Sequence, residues 1–154
     1  MKYVKLQTDI LKAADKQKIT GNASPFQCGG DYENKIVVIV DSCYMVFVPE
    51  DKFYLDISYV FDKPLDVSKM MRSENEAIDA YNTGMIRTVA DGRKVRVFST
   101  NYEAEIWIAE QTLKYFNLDE CRFRASTKNK PVFIYEDNNL GSQLVGYILP
   151  VNHN

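Results

Sequence analysis

The chain has a single histidine, His153. With no second imidazole there is no histidine-pair metal site, and a histidine-based catalytic triad has little to build on. A residue so near the end of the given sequence is also expected to be loosely held. Cysteine is nearly as sparse, at Cys28, Cys43 and Cys121. The odd count and wide spacing argue against a disulfide framework and against zinc. Cys43 and Cys121 lie in strand-like runs and are expected as small buried hydrophobes. Cys28 falls in a glycine-rich stretch and is the candidate exposed thiol.

Other signatures are missing as well. The chain has neither a phosphate-loop motif nor a dinucleotide fingerprint, and Gly29-Gly30 alone reads as a flexible turn. Glu136-Asp137-Asn138-Asn139 is rich in oxygen but lacks the spacing of a calcium loop, so it reads as a hairpin turn. Glu74 and Glu76 are too close in sequence to settle an acid–base pair. No catalytic residue, metal or cofactor is therefore expected. No apolar run approaches the ~18 residues of a membrane span. Met1 leads straight into Lys2-Tyr3-Val4-Lys5-Leu6 rather than into a basic-then-apolar leader. A cytoplasmic protein with no membrane partner is the expectation. The net charge is −2, so any contact with nucleic acid needs a locally basic face on an acidic body.

The chain is rich in aromatics, with 10 tyrosines and 8 phenylalanines among 154 residues, which favours a β-rich fold of one-domain size. Residues 2–7 alternate like a strand. Thr8 is a plausible N-cap for a helix that turns Ile10, Leu11 and Ala14 to a core and Lys12, Asp15, Lys16 and Lys18 outward. Residues 21–30 read as a loop. Lys35–Val40 and Cys43–Val48 flank an Asp41-Ser42 turn, and Phe53–Ile57 is a further candidate strand. In the irregular stretch 58–84, Asp66 is a candidate cap for a short helix through Val67, Met70 and Met71, and Gly84 breaks the pattern. Met85–Val89 and Lys94–Phe98 flank Asp91-Gly92, a strong hairpin signal. Glu105–Ile108 reads as a strand with Trp107 as a core or half-buried aromatic. A helix over Ala109–Phe116 follows, then strands at Arg122–Ala125, Pro131–Tyr135 and Leu144–Val151. Each half thus reads as strand, helix and three strands.

Four stretches carry a resemblance. Ile106-Trp107-Ile108-Ala109-Glu110-Gln111-Thr112-Leu113-Lys114-Tyr115-Phe116 resembles the strand and helix that open the final half-domain of bacterial sliding clamps, the beta subunit of DNA polymerase III. Cys121-Arg122-Phe123-Arg124 is similar to the next strand. Lys130-Pro131-Val132-Phe133-Ile134-Tyr135-Glu136-Asp137 and Gly146-Tyr147-Ile148-Leu149-Pro150-Val151 resemble the two that close it. The resemblance covers about 1–57 and 94–151. It implies an α+β, single clamp-like domain. A first unit would span about 1–57, an insertion about 58–90 and a second unit about 91–151. Together they would form a continuous sheet with two helices on one face. A bacterial clamp subunit carries three such domains, so this chain would close a comparable ring only as about six copies. The family's closing basic residue and leucine are replaced by Asn152-His153-Asn154.

What the resemblance implies for function follows from those helices. They would present Lys12, Lys16, Lys18 and Lys114 to the phosphates of duplex DNA, a contact that ignores sequence and permits sliding. Asp9, Asp15 and Glu110 dilute that face. Arg122, Arg124, Lys128 and Lys130 make a second candidate patch, or a charged edge that protects a sheet. Leu149, Pro150 and Val151 would help form a groove for replication proteins with short linear motifs. The expected function is a non-enzymatic, clamp-like replication or processivity accessory of phage or mobile-element type, acting as a homo-oligomer. The alternative is an interaction module of the same fold that forms no ring and binds no DNA.

Overall fold

The structure is a computed structural model and describes residues 1–56, 67–139 and 141–153. It opens with a helix rather than a strand: α1 spans Tyr3–Thr20. The alternation over residues 2–7 is too short to separate a period of two from one of 3.6. The long run to Thr20 without glycine or proline favours the helix. Tyr3, Leu6, Gln7 and Ile10 recur at helical spacing and face the core. Thr8 is inside the helix, not at its cap, and its hydroxyl donates to Val4 O at 2.8 Å. Ile10 is buried as expected, Ala14 is half-buried, and Leu11 is 46% exposed. Gly21 ends the helix in the left-handed conformation (φ 75°), with its N–H on Gln17 O.

Three strands follow: β1 (Phe26–Tyr32), β2 (Lys35–Val40) and β3 (Tyr44–Pro49). The stretch containing Gly29-Gly30 is therefore strand, with a register shift between Cys28 and Asp31. Asp41 and Ser42 both take positive φ, 51° and 56°, as a tight two-residue hairpin turn requires. Phe53 to Asp56 do not form the expected further strand. Ile57 and the candidate cap Asp66 lie outside the described residues. A 3-10 helix covers Met70–Glu76.

The second half supplies β4 (Ile78–Thr88), β5 (Lys94–Thr100), β6 (Glu105–Ala109), β7 (Cys121–Ala125), β8 (Val132–Asn138) and β9 (Gly141–Ile148). Gly84 does not break β4. It sits at φ 78° within a register shift between Asn82 and Ile86, so the strand bulges and continues. The expected helix over Ala109–Phe116 is only a 3-10 turn at Glu110–Leu113. Glu136 to Asn138 belong to β8 rather than to a turn, and Leu149 to Val151 lie beyond β9.

The nine strands form one antiparallel sheet in the order β1-β2-β3-β9-β8-β7-β4-β5-β6. Two meanders, β1-β2-β3 and β7-β8-β9, meet through β3 and β9, where Val46 pairs with Gly146. The architecture is α+β. Leu6 and Ile10 of α1 share one core with Val38, Val46, Phe98, Ile108 and Ile134. The sheet's other face carries a smaller cluster, in which Val67 and Met71 cover Val37, Phe47, Phe133 and Tyr147. Val151, just past β9, donates its N–H to Trp107 O in β6 at 2.7 Å. The order sets β9 and β6 five strands apart, about 24 Å if flat, so the sheet curls until its β6 end returns to its middle. No helix among the described residues is long and apolar enough to cross a membrane.

Candidate functional site

Lys5, Asp9, Lys12 and Lys16 follow one another at spacings of three and four, which aligns them along one side of α1, and Lys2 stands at the helix start as its N-cap. All four lysines are exposed, away from buried Leu6 and Ile10. From Lys5 to Lys16 the stripe runs about 16 Å at 1.5 Å per residue. Its one acid is occupied. Asp9 Oδ2 accepts the Tyr115 hydroxyl at 2.7 Å, and Lys114 Nζ lies 4.0 Å from the same oxygen. Lys114 also sits over the Tyr115 ring, 4.8 Å from its centroid. Burial, then the bond to Asp9, holds the Tyr115 phenol above its ordinary pKa.

The expected DNA-facing residues are thus brought together in part. Lys12 and Lys16 share the stripe, and Lys114 joins it through Asp9, although it does not stand on a second helix. Lys18 points about 120° away from Lys12 at 100° per residue. Asp15 flanks the stripe. Lys2 and Lys5 do not stand out in the sequence, because residues 2–7 alternate like a strand. Their spacing to Lys12 and Lys16 was the available signal.

At the start of α1, Lys2, Lys5 and Lys52 border an open depression of 330 Å³ together with Tyr3, Val4 and Tyr54. Buried Gln7 holds its far wall. The Gln7 amide donates to Lys52 O (2.9 Å) and to Tyr3 O (3.2 Å), and its oxygen accepts the Tyr54 N–H (2.6 Å). Lys52 therefore has a defined place beside the stripe that only the fold supplies.

The residues carried over as a peptide groove separate. Leu149 is 48% exposed and borders a 70 Å³ recess with Ile39, Cys43, Met45, Met70 and Tyr147. Val151 instead lies on β6, and Pro150 is half-buried between them. The second basic patch is largely neutralised. Arg122 lies 3.6 Å from Asp79 and 3.7 Å from Asp137, Arg124 donates to Ala77 O at 2.5 Å, and Lys130 pairs with Glu76 at 3.5 Å.

Cys28 and Cys43 exchange their expected roles. Cys28 is buried in β1, with its thiol pushed up to about 12 by burial. Cys43 is exposed, and Cys121 is half-buried. His153 is held rather than loose, its ring stacked on Trp107 at 4.0 Å. Among the described residues no three His, Cys, Asp or Glu side chains come together as a metal site would require. Compared with known proteins, the chain matches no family model, and neither a curated protein nor a solved structure is significantly similar to it.

Proposed function

We propose that this chain is a non-enzymatic, clamp-like accessory protein that holds duplex nucleic acid by its phosphate backbone and acts by self-association. The observation that carries the reading is the lysine stripe of α1. Three lysines line one side of α1 and Lys2 stands at its start, on an otherwise acidic chain, and the acid among them is bound by Lys114 and Tyr115. Flexible ammonium groups in a row suit phosphates and carry no base-reading geometry. Two three-strand meanders joined through β3 and β9 support the clamp-like part. The terminal strand β1, which among the described residues pairs with β2 alone, supplies an edge for self-association.

Duplex DNA of arbitrary sequence, titrated at several salt concentrations, tests the contact. Four lysines predict a slope of log affinity against log salt of about −3.6. Lys12→Glu with Lys16→Glu should lower affinity and flatten the slope by about two. Equal binding by that variant, or no binding at low salt, rejects the role of the stripe. Light scattering tests the second half, since a strict monomer at high concentration is incompatible with a ring.

The alternative, an interaction module without ring or DNA, is favoured by the apolar recess at Leu149 and Met70, both partly exposed. It predicts a monomer indifferent to DNA at any salt.

A further inference from the structure

Strand β6 ends the sheet at the side opposite β1, and its outer edge is not bare. The Val151 N–H donates to Trp107 O at 2.7 Å, and His153 Nε2 lies 3.0 Å from Glu105 O. A carbonyl can only accept, so that nitrogen carries the proton. Glu105 and Trp107 are two residues apart, and so are Val151 and His153. The segment thus follows the edge at the two-residue spacing of a strand, with one main-chain N–H and one side-chain ring as its contacts. The His153 imidazole stacks flat on the indole of Trp107, with centroids 4.0 Å apart and planes 8° apart. Arg87 lies 5.6 Å from the same indole and pairs with Glu105 at 3.1 Å. Trp107 Nε1 is buried and has no hydrogen-bond partner among the described residues.

These features make a peptide site: two outward carbonyls, an aromatic plate, a guanidinium beside it and an indole N–H that lacks an acceptor. Its present occupant reaches the edge through one main-chain hydrogen bond, from the Val151 N–H. Residues 149–153 form no regular strand, and Pro150 contributes no N–H. We propose that the β6 edge is the docking site for an extended peptide of a partner protein, one that carries an aliphatic residue and, two positions on, an aromatic ring. Segment 150–153 fills the site in cis until such a peptide displaces it. A phenyl or phenol ring on Trp107 offers a larger stacking area than imidazole, and a partner carbonyl placed at Nε1 satisfies the unpaired donor. This inference does not depend on the lysine stripe or on nucleic-acid binding.

Trp107 is the sole tryptophan, so its emission reports on the site directly. The chain ended after Leu149 is compared with the full chain, using a synthetic peptide of the sequence Leu149–Asn154. The truncated protein should bind the peptide saturably, with a change in Trp107 emission. The peptide bearing His153→Phe should bind more tightly, and one N-methylated at Val151 should lose at least tenfold. The full chain should bind at least tenfold more weakly, because its own segment competes at high effective concentration. A folded truncated protein that ignores the peptide overturns the proposal, as does equal binding by both proteins. Self-association of the truncated protein through the bared edge also overturns it, because the occupant is then a second copy. Where truncation prevents folding, Val151→Pro in the full chain removes the N–H, with Val151→Ala as the control for the lost side chain. It should change Trp107 emission and raise peptide affinity, and an unchanged affinity refutes the docking site.

Discussion

The Tyr115 hydroxyl donates to Asp9 Oδ2 at 2.7 Å across a separation of 106 residues, and so fastens α1 to the turn that follows β6. The main chain reinforces the tie, with the Lys2 N–H on Tyr115 O at 2.9 Å. The Tyr115 ring is fully buried. Tyr115→Phe should keep that packing and lose only the bond to a charged acceptor. The expected cost is about 1.5–3 kcal/mol, read as a lower urea midpoint with an unchanged slope. An unaltered midpoint would show that Lys114 alone suffices for Asp9.

Alkaline pH should unfold the protein. Burial raises the phenols of Tyr44, Tyr115 and Tyr135 above the usual 10, helped by Asp41 at Tyr44, by the bond to Asp9 at Tyr115 and by the bond to Glu74 at Tyr135. Above pH 10 the unfolded chain loses these protons while the folded chain keeps them. The unfolded state then binds fewer protons, so stability falls as pH rises, by up to about 1.4 kcal/mol per pH unit for each phenol. Phenolate absorbance at 295 nm should appear together with loss of circular dichroism. Stepwise phenolate formation in a folded protein would contradict this.

Gly146 faces the Phe116 ring in β9. A Cβ there would lie 2.5 Å from Phe116 Cζ and 3.2 Å from Ile134 Cδ1. Gly146→Ala should therefore cost about 1–3 kcal/mol through overpacking. Adding Phe116→Leu should return part of that loss, because the two sites share one volume. Equal and additive losses in denaturation would place the strain elsewhere.

One thiol of three should react quickly with Ellman's reagent in the native protein at pH 8. Cys43 is exposed, while burial pushes both Cys28 and Cys121 up to about 12. Cys43→Ser should remove the fast phase and leave two slow thiols. A fast phase that survives would locate an accessible thiol at Cys121 or Cys28.

The hairpins at Asp41-Ser42 and Asp91-Gly92 were legible because neighbouring residues close them. The opening strand was misread because five alternating residues fit both periods, and only the uninterrupted run to Thr20 decides for a helix. Leu113 and Phe116 carried a helical spacing that the fold does not honour. The Tyr115 carbonyl is taken by Lys2, and the Phe116 ring is laid over Gly146. Lys12, Lys16 and Lys114 were legible as candidates, but not Lys52 beside Lys2, which depends on Gln7.

By itself the sequence determined the β-rich α+β character, most strand positions and the turns between them. Those follow from β-branched runs and turn chemistry, which act over a few residues. The tertiary structure decided which lysines share a side with which acid, which cysteine meets solvent, and that Val151 and His153 lie along β6. Those outcomes rest on contacts such as Tyr115 with Asp9 and His153 with Glu105, 106 and 48 residues apart. Such contacts form only when the chain folds back on itself, as where the curled sheet returns its β6 end to its middle, and no local pattern encodes that approach.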